Sequence, residues 1–92
     1  MFNERGYLAC EVVSTLDGRT TLSSQLHDGS LFTITLQSHE VFFNSDATQA
    51  FVRVEKLGQA GDRCQIQLPS PSLNYGHHVL VNIIKVLRQI PS

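Results

Sequence analysis

The sequence predicts an all-β domain, a small six- or seven-stranded barrel or sandwich. Polar and apolar residues alternate in short segments such as 31–37 and 63–68, and a period of two is typical of strands with one buried face. Two Asp-Gly pairs, Asp17-Gly18 and Asp28-Gly29, separate the first three of these segments, and Asp-Gly is a strong tight-turn signal. Turn signals recur roughly every 8–12 residues, a spacing shared by barrels and sandwiches.

The first three segments form an N-terminal meander. They cover residues 7–16, 19–26 and 31–37, and we expect two hairpin turns of the same type between them. The alternation places one set of apolar side chains on the core face: Leu8, Cys10, Val12, Leu16, Leu22, Leu26, Phe32, Ile34 and Leu36.

The middle of the chain predicts three more strands, at 41–43, 51–57 and 63–68. Residues 44–50 between the first two are consistent with a loop or a single helical turn. Residues 69–75 form the longest predicted irregular segment, because Pro69 and Pro71 cannot donate hydrogen bonds to a ladder.

The C-terminal stretch has two competing interpretations. Its apolar residues fall at helical spacing, at Leu80, Ile83, Ile84, Leu87 and Ile90. Val79-Leu80-Val81 instead favours a strand, after which Asn82 can act as an N-cap. We therefore predict a strand at 78–82 and a short amphipathic helix at 83–90, with a strand through to Leu87 as the alternative.

Length and charge define the class of protein. The 92 residues form one predicted domain, residues 1–92, with an N-terminal tail at 1–6 and an amphipathic C-terminal segment at 83–92. Net charge is −1, and charged residues make up 16% of the chain, below the usual ~25%. The sequence shows no secretory signal and no apolar run of ~18–20 residues. We expect a cytoplasmic protein that does not enter a membrane.

The chemically reactive residues form no recognised pattern. Cys10 and Cys64 occupy core-facing positions and are expected to be buried thiols. His77 and His78 are adjacent, so on a strand they point to opposite faces and do not chelate one ion together. No Gly-x-Ser-x-Gly motif or phosphate-binding loop occurs. We predict that the protein is not an enzyme, and that it has no metal site and no cofactor.

One segment resembles a known family. Residues 26–36, Leu-His-Asp-Gly-Ser-Leu-Phe-Thr-Ile-Thr-Leu, are similar to the second and third strands of Sm-like RNA-binding proteins, which carry an Asp-Gly turn in such a place. The chain departs from that family in three places: it has no glycine at 33–35, no Asp-x-x-Met-Asn loop after Leu36, and Asn74-Tyr75-Gly76 where an Ile-Arg-Gly turn is expected. The resemblance implies an RNA-binding small β-barrel, with Arg53 and Lys56 as the residues to test.

The main functional prediction is a non-catalytic protein–protein interaction module. Such a module would be a self-associating subunit, or an assembly or adaptor factor of a larger complex. The apolar content and low charge favour an exposed contact surface, and tyrosine suits an interface because it buries area at low entropic cost. The predicted partner surface consists of Leu73, Tyr75, Ile84, Leu87 and Ile90.

Overall fold

The computed structural model describes residues 4–91. In this range the strands are β1 (Glu4–Leu16), β2 (Arg19–Gln25), β3 (Leu31–Gln37), β4 (Val41–Phe43), β5 (Gln49–Ala60), β6 (Arg63–Ser72), β7 (Gly76–Asn82) and β8 (Val86–Leu87). Two short 3-10 turns occur, at Ser38–Glu40 before β4 and at Ile83–Lys85 before β8.

The strands form one strongly curled antiparallel sheet, a half-barrel. Its order is β3-β2-β1-β5-β6-β7, with β4 paired to β5 and β8 paired to β1. The all-β prediction is confirmed, and the architecture is a single curled sheet. β1 and β5 lie at the centre of the sheet, and along one of its edges each of them pairs first with one strand and then with another. β1 pairs with β8 at residues 7–8 and with β2 from Glu11, whereas β5 pairs with β4 at 50–52 and with β6 from Glu55.

The N-terminal meander is confirmed, but its two turns differ. Asp17 and Gly18 both have positive φ, 54° and 76°, as in a two-residue type I′ turn. The second hairpin has a longer loop, in which Leu26 N–H donates to Ser30 O at 2.7 Å and Gly29 N–H donates to Leu26 O at 2.9 Å. With Gly29 at φ 90°, this is a three-residue loop with a glycine bulge.

A bulge in β1 changes which face its last residues occupy. Val12 pairs with Leu22, but the next pairs are Ser14 with Thr21 and Leu16 with Arg19. The extra residue at Val13 shifts the alternation by one position. The prediction that Leu16 faces the core is therefore wrong: its side chain is 72% exposed.

The predicted C-terminal helix is wrong. After β7 the chain makes only the 3-10 turn Ile83–Lys85 and then pairs as β8, with Val86 opposite Leu8 and Leu87 opposite Tyr7. The edge of β1 that β2 leaves unpaired accepts these two residues, and this long-range pairing outweighs the local helical spacing. Asn82 does cap the turn, since its Oδ1 accepts from Ile84 N–H at 3.1 Å.

Two other segments are more extended than the sequence predicts. β1 begins at Glu4, inside the expected N-terminal tail, and Glu4 Oε2 lies 3.3 Å from Lys56 Nζ; residues 1–3 lie outside the described range. β6 continues through Pro69 and Pro71 to Ser72, into the segment predicted to be irregular. Both prolines are tolerated because the pairing of β6 with β7 is irregular between Gln67 and Ser72, and its pairing with β5 ends at Gln67.

The inner face of the sheet carries the core. Its buried residues are Leu8, Cys10, Leu22, Phe32, Ile34, Leu36, Val41, Ala50, Val52, Val54, Cys64, Ile66, Leu68, Val79 and Val81. Val12, Leu26, Ile83 and Val86 pack against them while remaining partly exposed. The C-terminal segment therefore packs on the sheet, because Val86 contacts the core.

Candidate interaction surface

The turn between β6 and β7 presents two large apolar side chains to solvent. Leu73 is 68% exposed and Tyr75 is 45% exposed. Both belong to the predicted partner surface, and here they share one three-residue turn. A pair of exposed apolar side chains so close together is a candidate contact point.

The backbone of this turn is fixed at several points. Asn74 and Gly76 have positive φ, 78° and 71°. Ser72 Oγ donates to Gly76 O at 2.8 Å across the base of the turn, and Ser72 itself is buried. Leu73 N–H donates to Thr33 O of β3 at 3.0 Å. These hydrogen bonds restrain the turn, and a restrained turn lowers the entropic cost of binding through it.

The C-terminal part of the predicted surface behaves differently. Ile84 is 72% exposed, whereas Leu87 and Ile90 are partly buried. Ile83 N–H donates to Asp62 O at 2.7 Å, which ties this segment to the turn between β5 and β6. Leu87 lies opposite Tyr7 in the sheet register, which places its side chain on the outer face of the sheet.

The structure does not bring the five predicted residues into one patch. The Leu73–Tyr75 turn follows the end of β6, while Ile84 lies beside Asp62, just before β6 begins. The two ends of β6 pair with the two ends of β7, Arg63 with Asn82 and Ser72 with Gly76. These ends are about 20 Å apart at ~3.3 Å per residue of β7, so the two groups are at opposite ends of β6. Leu73 and Tyr75 remain together, and Ile84 stands apart from them.

An aromatic group on the outer face was not predicted. The rings of Tyr7 and Phe42 meet edge to face, with centroids 5.8 Å apart, and Phe42 pairs with Phe51 on β5. Arg53 lies opposite Tyr7 in the register. The only sequence signal was the short apolar run at 41–43, which gave no indication of its partner on β1.

A cleft of about 460 Å³ opens beside this aromatic group, where β5 changes partners from β4 to β6. Its lining includes Phe42, Arg5 and Arg53, together with the carboxylates of Glu40 and Glu55. Two positive and two negative side chains therefore share the cleft. Lys56, the other basic residue singled out from the sequence, lies next to Glu4 instead.

The two thiols are buried, as predicted. Cys10 and Cys64 are both free and enclosed in the core. Burial raises the pKa of the Cys10 thiol to about 12, and burial also raises the pKa of Cys64. Because the thiolate is the reactive form, neither cysteine is activated at neutral pH.

Several other polar side chains have structural partners. His77 Nδ1 lies 3.3 Å from Leu68 O, and His27 Nδ1 lies 3.4 Å from Leu80 O. Hydrogen bonds from Ser30 and Thr48 lower the pKa values of Asp28 and Asp46 respectively. Between residues 4 and 91, no three His, Cys, Asp or Glu side chains lie close enough to hold a metal ion.

No helix in the described part of the chain is long and apolar enough to cross a membrane. Comparisons with protein-family models, curated proteins and solved structures gave no match for this chain.

Proposed function

We propose that this protein is a non-catalytic protein–protein interaction module that binds through the Leu73–Tyr75 turn. The observation that carries the proposal is the exposure of both apolar side chains on a constrained backbone. A rigid turn that buries a leucine and a tyrosine gains apolar contact area without ordering a loop. The partner is a second copy of the chain or another subunit.

The test compares two variants with matched surface changes. Leu73→Ser with Tyr75→Ser removes the proposed contact, and Val13→Ser with Leu16→Ser removes two exposed apolar side chains outside the predicted partner surface. Sedimentation velocity measures self-association, and quantitative affinity capture with the purified variants measures binding to other proteins. We expect the first pair to lose binding and the second to retain it, while circular dichroism shows both folded.

Two results would contradict the proposal. Binding unchanged in the Leu73 and Tyr75 variant excludes the turn as the contact. Equal losses in both variants indicate a general effect of surface hydrophobicity and not a defined site.

RNA binding is the second candidate function, favoured by the aromatic pair beside Arg5 and Arg53. Aromatic rings stack on bases and arginines bind phosphates. Against this, Glu40 and Glu55 line the same cleft and the net charge is −1. Arg5→Glu with Arg53→Glu would weaken retention of single-stranded RNA in a filter-binding assay if this function is correct. Lys56→Glu serves as the comparison, because Lys56 already has a carboxylate neighbour.

A further inference from the structure

The two central strands carry a second group of side chains on the face of the sheet opposite the core. Leu8 and Cys10 of β1 and Val52 and Val54 of β5 are buried on the inner face. Side chains alternate between the two faces of a strand, so the intervening and flanking odd-numbered positions lie on the outer face. These residues are Arg5, Tyr7 and Ala9 of β1 and Phe51, Arg53 and Glu55 of β5.

The outer face has an apolar centre at Phe51. The Phe51 side chain is only 8% exposed, yet it does not belong to the inner core cluster. Ala9 lies opposite Phe51 on β1, and Phe42 lies opposite it on β4. Tyr7 meets the Phe42 ring edge to face, and Phe42 itself remains exposed. The apolar centre is therefore packed from within the chain and still open to contact from outside.

Charged side chains border this apolar centre without pairing with one another. Arg5 lies opposite Glu55 in the register, and Arg53 lies two residues before Glu55 on the same face of β5. All three are exposed. Within residues 4–91 the only salt bridge joins Lys56 to Glu4. The two guanidinium groups and the carboxylate therefore remain available for contacts outside the chain.

The cross-strand pairs on the outer face each join residues of complementary kind. A two-fold axis that runs between β1 and β5, parallel to both, would set two copies face to face. Each residue would then meet the copy of its own cross-strand neighbour, and each such contact would occur twice. The three contacts would be one between opposite charges, one between a ring and a guanidinium, and one between a small and a large side chain: Arg5 with Glu55, Tyr7 with Arg53, and Ala9 with Phe51.

We propose that the outer face of β1 and β5 binds a second copy of this chain as a symmetric dimer, in which Arg5 of each copy pairs with Glu55 of the other. Charge complementarity selects the partner, because a surface that carries both signs in register is complementary to itself. A nucleic acid strand would be repelled by Glu55, and a partner of one charge sign would meet a like charge. The contact between Arg53 and Tyr7 adds a cation–π interaction.

The curl of the sheet limits the size of this contact. The outer face of a half-barrel is convex across its strands, so two copies meet along a band that follows β1 and β5. Small interfaces belong to weak and transient complexes, and we expect a Kd between about 10 μM and 1 mM. The inference goes beyond the proposed function, because this face shares no residue with the Leu73–Tyr75 turn.

Charge reversal tests the contact by loss and by rescue. Arg5→Glu and Glu55→Arg each place like charges opposite one another twice in the dimer. We expect each variant alone to self-associate about tenfold more weakly than the parent, measured by sedimentation equilibrium at up to about 1 mM. In an equimolar mixture of the two variants both contacts again join opposite charges, so heterodimers should form with close to the parent affinity. A folding defect in either variant would not be rescued by mixing.

Asp62→Arg and Arg63→Glu are the matched controls. Both side chains are exposed beyond the end of β5, and the substitutions change the net charge by the same amounts as Glu55→Arg and Arg5→Glu. We expect both controls to self-associate as the parent does. The series is repeated with Leu73→Ser and Tyr75→Ser present, which removes association through the turn, and the loss and rescue should persist.

Three results would overturn the inference. The first is a parent that stays monomeric over this concentration range, or a mixture of the two variants that is not rescued. The second is self-association that disappears with Leu73→Ser and Tyr75→Ser and ignores charge reversal, which would support the turn instead. The third is a Glu55→Arg variant that self-associates like the parent and retains more single-stranded RNA, which would assign the face to RNA.

Discussion

Gly6 provides a sharp test of how the C-terminal segment is held. It is buried in β1 beside β8. A Cβ atom added at this position would lie 2.8 Å from Val86 Cγ1 and 3.3 Å from Leu87 O. The first distance is shorter than real Cβ contacts allow. Valine is restricted at χ1, so the contact is relieved by moving β8 away from β1.

Two effects of Gly6→Ala oppose each other. Replacing glycine restricts the unfolded chain and stabilises by about 0.4–1 kcal/mol where the native backbone suits alanine. Overpacking of a buried site costs about 1–3 kcal/mol, and displacing Val86 exposes part of an apolar side chain as well. We expect a net loss of about 1–2 kcal/mol in the free energy of unfolding, which lowers Tm by roughly 4–16 °C for a domain of this size.

Gly58→Ala is the matched control. Gly58 lies in β5 next to a bulge, has no positive φ, and an added Cβ would meet nothing within 4 Å. We expect this variant to be as stable as the parent or more stable by up to about 1 kcal/mol. Urea denaturation gives both values. Gly6→Ala with unchanged or increased stability would refute the docking of β8 on β1.

Three further changes test local features of the fold. Raising the pH from 9.0 towards about 12 should progressively lower the free energy of unfolding. The Cys10 thiol ionises in that range in the unfolded chain, whereas in the folded protein its raised pKa keeps it protonated. Cys10→Ala should remove this part of the pH dependence of urea unfolding. Asn82→Ala should cost about 0.5–1 kcal/mol by removing the acceptor for Ile84 N–H, whereas Asn82→Asp should retain most of the stability in the same assay. Gly18→Val should lower the free energy of unfolding in urea by about 1–2 kcal/mol, since Gly18 has φ 76°, and a neutral effect would contradict the type I′ turn.

The sequence predicted the parts of the fold that depend on neighbouring residues. Alternation located the meander, and Asp17-Gly18 located its first turn, because strand period and turn chemistry are local. Leu16 was misplaced because the bulge at Val13 depends on how β1 pairs with β2. No local signal in this stretch distinguishes a bulged strand from a regular one.

The C-terminal segment shows the same limit more clearly. The helical spacing of Ile83, Leu87 and Ile90 is real, yet Leu87 pairs with Tyr7, near the start of the chain. This segment pairs with an edge of β1 that is available because β2 pairs with β1 only from Glu11 onwards. The apolar spacing predicted a local helix, whereas pairing with the distant strand β1 makes this segment a short strand.

The candidate surface was predictable in part for a related reason. Leu73 and Tyr75 lie in one turn, so the sequence alone places them together. Ile84 lies at the other end of β6, and its separation from them follows from the strand length.

The outer edge of β3 pairs with no strand in the described range, and it borders the exposed turn through the bond from Leu73 N–H to Thr33 O. Amide hydrogen exchange of the parent protein, measured residue by residue by NMR, tests it directly. We predict slow exchange at Phe32, Ile34 and Leu36, which bond to β2, and fast exchange at Thr35 and Gln37. Equal protection at all five amides would show that the sheet is closed along β3 and would contradict the account.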